Sequence, residues 1–358
     1  MKIAMLANAA VVHTARWVGY FRGRGHDTRL WSLEDATAAP DAQRLPRLPL
    51  PGWLRYPLAA PALARALAHF APDLVNAHFV PNYGVLGALV GRHPLAITAW
   101  GSDLLVSGRR DPLRRARARF ALGRADLVLA DSANLAAAAR ALGAAADAVV
   151  ALPWGVELER FRPAPAREPG LLLSTRMHEP LYDLPTLIEA ARPLLDDRPD
   201  ARLVIAGDGS ERAALERLAA RRLPAGRFTF TGRLAPDALA GWLGRAELYL
   251  SAARSDSTSV SLLEAMACGA IPVVCDLDGN REWVAEGDGA RLFRAGDAAD
   301  ATRALRAALG DPAWAAAARA RNRSVVEARA DWSANMARIE RRFEDLVAAR
   351  GTAARGGR

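Results

Sequence analysis

The stretch SAARSDSTSVSLLE, Ser251 to Glu264, decides how this 358-residue chain is read. Its first residue closes the apolar run Leu248–Ser251, which has the length and character of a buried strand. A hydroxyl-rich loop follows, and then a helix start for which Ser257, Thr258 or Ser259 supplies the N-cap. Strand, polar loop and helix in that order make the repeating unit of a parallel α/β sheet. A helix N-terminus so placed is an anion site, because its first backbone amides and its dipole favour phosphate. Val260 and Ser261 offer those amides, and Glu264 lies one turn deeper on the same helical face, where a carboxylate accepts from a ribose diol. Asp256, on the loop eight residues earlier, sits beyond the phosphates where a donor sugar projects. The competing reading of the pair is a capping aspartate and a solvated helix glutamate.

Outward from this stretch, short apolar runs alternate with longer amphipathic segments, and the pattern occurs twice. The first set of strands is expected at Ile3–Leu6, Thr28–Trp31, Leu74–His78, Leu95–Ala99, Leu127–Ala130 and Val149–Leu152. The second is expected at Leu171–Ser174, Leu203–Ala206, Phe228–Thr231, Leu248–Ser251, Ile271–Cys275 and Ala290–Phe293. The fold class is therefore α/β, with two doubly wound parallel-sheet domains, residues 1–155 and 164–330, facing a cleft. Pro153 to Gly170, with four prolines, reads as the linker between them. Residues 331–349 read as a helix with Trp332, Met336, Ile339, Phe343 and Leu346 on one face, and the tail 350–358, with nothing to bury, reads as disordered.

Bulk properties exclude several classes. Hydrophobic residues at 51% and charged residues at 24% are ordinary globular usage, against disorder or a fibrous repeat. The longest apolar stretches are broken by Arg140 and Asp147, so none is long enough to span a bilayer. The N-terminus reads as a first strand and helix rather than a signal peptide. Cys268 and Cys275 match no metal or redox spacing and read as small buried hydrophobes, which makes the cytoplasm the default compartment. Net charge is +9, concentrated in residues 1–150, yet no nucleic-acid-binding motif accompanies it. The turn after the first strand, Ala7-Asn8-Ala9-Ala10, lacks the close-approach glycines of a dinucleotide site.

The run Glu264-Ala-Met-Ala-Cys-Gly-Ala-Ile-Pro-Val-Val, followed by Asp278-Gly279-Asn280-Arg281-Glu282-Trp283-Val284, resembles the signature of the retaining glycosyltransferases of family four. Further landmarks keep the family's order. Pro153-Trp154-Gly155-Val156 with Phe161-Arg162-Pro163 is similar to its interdomain segment, and Asp73-Leu-Val-Asn-Ala-His78 and Thr98-Ala-Trp-Gly101-Ser-Asp103 to its N-terminal motifs. Ala206-Gly207-Asp208-Gly209 and Phe230-Thr-Gly232-Arg233-Leu234 resemble its C-terminal turns.

The resemblance implies the two-lobed GT-B fold, with the last helix crossing back to the first domain. It implies a nucleotide-diphosphate sugar held mainly by the second domain and an acceptor by the first. It gives Glu264 the ribose and Asp256 the donor sugar, adds Arg233 and Leu234 to the donor contacts, and makes Arg176, just past the strand Leu171–Ser174, the grip on the diphosphate. Retention of anomeric configuration rests on the resemblance alone. Three departures stand out: Tyr182 where the family often has lysine, Asp256 where it has glutamate, and Trp100 where it has the histidine of a His-Gly-x-Asp turn. Tyr182 donates a hydrogen bond but no charge, which shifts phosphate neutralisation onto Arg176 and the helix amides around Ser259.

In the first domain, His78 ends a strand at the edge where ligands bind and is a catalytic candidate, and His13 opens the first helix as a candidate phosphate contact. Asp276-Leu277-Asp278 has the form of a metal motif from another glycosyltransferase fold, but it precedes a Gly-Asn loop and reads as a turn. No metal or cofactor is expected. Arg109 to Arg124 carries seven arginines and one aspartate, and two readings stay open: a solvated helix face, or attraction to anionic lipid or a lipid-diphosphate acceptor at the inner membrane face. The expected activity is sugar transfer to a saccharide or lipid-linked acceptor in cell-surface polysaccharide or glycolipid assembly. A nucleotide-sugar epimerase, a phosphorylase and a non-catalytic nucleotide-sugar-binding protein are the rivals.

Overall fold

The computed structural model describes residues 1–91, 93–106 and 111–356, and the side chains among them up to residue 350. They form two compact units, one of residues 1–152 with 336–358 and one of residues 153–335.

The first unit holds a seven-stranded parallel sheet: β1 (Lys2–Leu6), β2 (Asp27–Ser32), β3 (Gln43–Arg44), β4 (Leu74–His78), β5 (Leu95–Thr98), β6 (Leu127–Ala130) and β7 (Val149–Ala151). The order is β3-β2-β1-β4-β5-β6-β7. The chain winds outward from β1, then returns to lay β4 against its other side, which makes the β1/β4 boundary the point where the winding reverses. In such sheets ligands bind beyond the carboxyl ends of the strands at that boundary.

The second unit repeats the plan with β8 (Leu171–Ser174), β9 (Arg202–Ala206), β10 (Phe228–Gly232), β11 (Leu248–Ser251), β12 (Ile271–Cys275), β13 (Ala285–Glu286) and β14 (Gly289–Phe293). Its order is β10-β9-β8-β11-β12-β14-β13, so the reversal falls between β8 and β11. Strands such as Leu171–Ser174 and Ile271–Cys275 are buried at every position, as a sheet covered by helices on both faces requires. The expected strands are all present. The two short edge strands β3 and β13 were not expected, since Gln43–Arg44 and Ala285–Glu286 carry too little apolar signal to read as strands.

Two expectations about the chain's organisation need correction. Residues 153–170 are not a free linker: they belong to the second unit, with Trp154, Val156 and Phe161 all at most 5% exposed. Val156 exchanges backbone bonds with Ala330 and Trp332, and at Gly155 (φ 92°) a Cβ would lie 2.4 Å from the Ala330 carbonyl oxygen. The apolar residues between the prolines are what dock the segment. The tail is likewise not disordered from residue 350, for the last helix runs Trp332–Gly356, and its end is rich in alanine and arginine, both strong helix formers. Residues 357–358 lie outside the described residues.

From Met336 onward this helix belongs to the first unit. Phe343 stacks on Phe21 at 5.4 Å between centroids, and the buried Glu340 accepts from Tyr20 (2.9 Å) and Arg24 (3.0 Å) and bonds His26 (2.8 Å). Burial alone would raise the Glu340 pKa, but these partners, His26 and Tyr20 foremost, hold it below the usual carboxylate range.

Candidate functional site

In the second unit, the carboxyl ends of β8 and β11 bring Arg176 to the loop that carries Asp256 and Ser259. Arg176 is only 7% exposed. One terminal nitrogen donates to Ser259 Oγ (2.6 Å) and Ser261 Oγ (2.8 Å), and the other to Asp256 Oδ2 (2.7 Å). Its guanidinium lies 4.3 Å from the centre of the Tyr182 ring, so the residue standing in place of a lysine forms an aromatic floor under the charge. Burial pulls the Arg176 pKa down, while Asp256, Tyr249 and Tyr182 more than offset it and raise it above its ordinary value.

The helix Val260–Cys268 starts at this cluster. Ser259 is its N-cap, accepting from the Leu262 amide at 3.3 Å, so of the three candidate hydroxyls Ser259 fills the role. Val260 and Ser261 contribute the first amides, which by position have no intrahelical acceptor. Glu264 follows one turn on and is 8% exposed. The Asp-Gly-Asn turn supports the loop from behind: a Cβ at Gly279 would lie 2.1 Å from the Ser257 carbonyl oxygen and 2.8 Å from that of Asp256, so only glycine admits this approach. Trp283 donates to Thr258 Oγ1 at 3.3 Å. Asp276 pairs with Arg281 and Asp278 starts the short helix Asp278–Arg281, a turn in which the two aspartates serve different ends. Arg233 is exposed and Leu234 half-buried just past β10, the next strand but one from β8.

In the first unit, a cavity of about 230 Å³ opens at the corresponding boundary of β1 and β4, lined by Asn8, Tyr56, His78, Asn82, Tyr83 and Trp100 among others. His78 is in its wall, but not as a free acid or base. Trp100 Nε1 donates to His78 Nδ1 (3.2 Å), so the ring's proton is on Nε2 and donates to Asn76 Oδ1 (2.7 Å). Asn76 in turn donates to Thr98 Oγ1 at 3.0 Å. Burial depresses the His78 pKa to about 3, and the ring is neutral at physiological pH. Of the catalytic candidate His78, the structure thus shows a place in the cavity wall with both ring nitrogens hydrogen-bonded, one of them to Trp100. His13 is also neutral, its pKa lowered to about 4 by burial and by Arg16, and its ring is edge-on to Trp100 at 6.2 Å. Asp103 anchors the turn, accepting from the Val80 and Trp100 amides, and burial raises its pKa to about 6.

Residues not anticipated from sequence complete this wall. Glu34, just past the end of β2, accepts from both Tyr56 (2.5 Å) and Tyr83, and burial with Glu34 beside them pushes both phenol pKa values far up. The available signal was the position of Asn8 and Glu34 after strand ends.

His78 carries a pH consequence. Its folded pKa of about 3 lies below the unfolded 6.5, so its contribution is fully present above pH 6.5 and is lost as pH falls. Between pH 7 and 5 the expected loss is about 2 kcal/mol. Urea titrations should show the pH 5 penalty shrinking by about that amount in His78→Gln. An unchanged penalty would mean the ring is not held neutral.

Among the described residues one trio has metal-ligand proximity, His26 with Glu340 and Glu344, and its Glu340 is the residue already held by Tyr20, Arg24 and His26. Of the arginine-rich segment, Arg109 and Arg110 lie outside the described residues. The rest includes the helix Pro112–Leu122, capped by Asp111, with Arg114, Arg115, Arg119 and Arg124 exposed. No helix among the described residues is long and apolar enough to cross a membrane.

Two parallel α/β units, each with its polar side chains gathered where the winding reverses, define the two-domain GT-B class of fold. A solved structure of Anabaena Alr3699/HepE, in complex with UDP and glucose, superposes with a TM-score of 0.81 over 96% of this chain and 100% of that one, at 18% identity. The family model for glycosyl transferases group 1 matches residues 168–311, and that for glycosyl transferase 4-like proteins matches residues 2–132. The chain belongs to the group 1, family 4-like glycosyltransferases. It is 32% identical over 207 residues to a phosphatidyl-myo-inositol mannosyltransferase of Mycolicibacterium smegmatis, covering 56% of this chain and 53% of that protein. It is 28% identical over 294 residues to sulfoquinovosyl transferase SQD2 of Arabidopsis thaliana, covering 74% and 55%. The matches span about half the length of these curated relatives.

Proposed function

We propose that this protein transfers a sugar from a nucleotide-diphosphate donor to a saccharide or lipid-linked acceptor, with retained anomeric configuration, in cell-surface polysaccharide or glycolipid assembly. The observation that carries the reading is the Arg176–Asp256–Ser259–Ser261 cluster at the start of the helix Val260–Cys268, with Glu264 one turn beyond. A diphosphate arriving at the Val260 and Ser261 amides meets a guanidinium already aimed there, and charge growing on the leaving phosphate is what such a group stabilises. In this state Asp256 occupies one terminal nitrogen of Arg176. The incoming diphosphate displaces it, and the released carboxylate turns to the donor sugar. The leaving phosphate then assists attack from the same face, which accounts for retention without an enzymatic nucleophile.

The acceptor is assigned to the first unit, in the cavity lined by Asn8, Tyr56, Asn82 and Trp100. The Mycolicibacterium relative, by its name a phosphatidylinositol mannosyltransferase, supports a lipid-linked acceptor. Peripheral contact with anionic membrane through the arginines of residues 109–124 belongs to the same reading, as does a location at the inner membrane face.

The deciding experiment incubates a panel of nucleotide sugars with and without candidate acceptors and analyses the products. Transfer with an acceptor present is expected, whereas conversion of donor alone points to an epimerase, and binding without turnover to a sensor. With Arg176 and the helix amides handling the phosphates, activity is expected to persist in chelator. Complete loss, restored by a divalent ion, would sink the metal-independent assignment.

A further inference from the structure

A second cavity, of about 460 Å³, adjoins the first in the same unit and shares Tyr56, Phe79 and Asn82 with it. The two differ in chemistry. Among the described residues, no lining residue of the first carries a charge, since its His78 is neutral, whereas the second is lined by Arg55, Arg114 and Arg117 against the single carboxylate of Asp111. That carboxylate is engaged, capping the helix Pro112–Leu122 through the Leu113 and Arg114 amides and pairing with Arg114 at 3.3 Å. Arg55 lies 3.6 Å from Glu34, which Tyr56 and Tyr83 already hold.

Arg117 is the informative residue. Its Nε and one terminal nitrogen are buried without a hydrogen-bond partner among the described residues, and burial lowers its pKa, with Arg114 adding to the effect. The Arg55 Nε is buried without a partner as well. Guanidinium donors withdrawn from water and left unpaired cost free energy that an anion placed among them returns. The shared wall is itself irregular: Phe79 has a left-handed backbone (φ 71°) and starts a π-helical turn, Phe79–Gly84, and such strain in a non-glycine residue persists where packing over-determines it and clusters at ligand sites.

We propose that this second cavity binds a phosphoryl group of the acceptor, whose sugar ring occupies the adjoining aromatic cavity, so that the acceptor is a phosphorylated saccharide. Arg117 and Arg55 supply the unpaired donors, Arg114 adds charge at the rim, and the cavity's volume leaves room for what the phosphate is esterified to. Exposed Trp53 and Leu113 line the same cavity and give an apolar wall on the outer side, suited to a phosphate that continues into a lipid. The proposal rests on the acceptor assignment made above.

Calorimetry of the full chain with inorganic phosphate, glucose and glucose 6-phosphate tests it, in an Arg176→Ala background that weakens phosphate binding at the other unit. Glucose 6-phosphate should bind more tightly than either inorganic phosphate or glucose. Arg117→Gln should weaken it at least about tenfold, the loss of one charge-assisted hydrogen bond. Arg65→Gln, at an exposed arginine on the helix Ala60–Phe70 of the same unit that does not line the cavity, should leave it unchanged. Equal weakening by both variants, or a phosphate ester that binds no better than glucose, overturns the proposal by reducing the effect to diffuse charge. Should Arg117→Gln not fold, Arg117→Lys is read in the same way, since an ammonium keeps the charge without the fork.

Phosphatidylcholine vesicles with and without phosphatidic acid form the second arm. Arg117-dependent binding to the acidic and not the neutral vesicles, besides binding of the soluble ester, identifies a lipid headgroup as the source. Arg117-dependent binding of the soluble ester alone identifies a free sugar phosphate, and either supports the subsite. Nucleotide diphosphate affinity of Arg117→Gln, in the otherwise native chain, separates the two readings. If the native chain binds the phosphate ester but no nucleotide diphosphate, the transferase reading fails and the subsite stands. If it binds nucleotide diphosphate but no phosphate ester, the reverse holds.

Discussion

Arg176→Ala is expected to lower kcat by about 10²–10³, or about 2.7–4 kcal/mol, the loss seen when one preorganised transition-state donor is deleted. The structure supplies the reason for so large an effect from one side chain. Arg176 is buried and joins three groups of the loop and helix start, Asp256, Ser259 and Ser261. Its removal takes away the charge facing the leaving diphosphate and also leaves the Asp256 carboxylate, 18% exposed, without its cation. Tyr182→Phe is expected to be mild, because the ring that lies under the guanidinium at 4.3 Å is retained and only the hydroxyl goes. Tyr182→Ala removes the floor itself and should cost about 0.5–2 kcal/mol. Steady-state kinetics on the three variants gives the comparison, and equal, small effects for Arg176→Ala and Tyr182→Phe would show that the diphosphate is held elsewhere.

How much of this was legible before the fold was known depends on the sequence distance between partners. The strands were readable because a covered parallel sheet imposes apolar runs, and the donor cluster was readable because strand, loop, N-cap and helix follow one another within Leu248–Glu264. Arg176 could be placed beside them only through the β8 strand end, and its contacts to residues 80 and more positions away were beyond any local pattern. His78 shows the limit most clearly. A histidine at a strand end reads the same whether it is free or satisfied, and here the decision comes from Trp100, 22 residues on, which fills one nitrogen. Proline count suggested a linker at Pro153–Gly170, but whether such a segment docks is set by Val156 and Phe161 finding a core, which composition does not reveal. The cavity lined by Arg55 and Arg117 was hidden for a related reason. Those residues come from two helices of the first unit, and only the fold shows that some of their donors are left unpaired.

Asp256 and Glu264 are expected to separate binding from turnover, because they stand at different places along one donor molecule. Glu264 is on the helix Val260–Cys268 beyond the N-terminal amides, so a ribose contact there is made by free nucleotide and intact donor alike. Glu264→Gln should therefore weaken both by similar amounts, about 1.5–3 kcal/mol for a hydrogen bond to a charged group. Asp256 is on the preceding loop and, without ligand, is bound to Arg176 at 2.7 Å. A nucleoside diphosphate competes with that carboxylate for the guanidinium, so Asp256→Asn should not weaken nucleotide diphosphate binding, yet it removes the group assigned to the sugar and should depress turnover of intact donor. Calorimetry with the nucleotide diphosphate and kinetics with the nucleotide sugar give the two readouts. If Asp256→Asn abolishes nucleotide binding while Glu264→Gln spares it, the donor lies in the opposite orientation, and Asp256 rather than Glu264 serves the nucleoside.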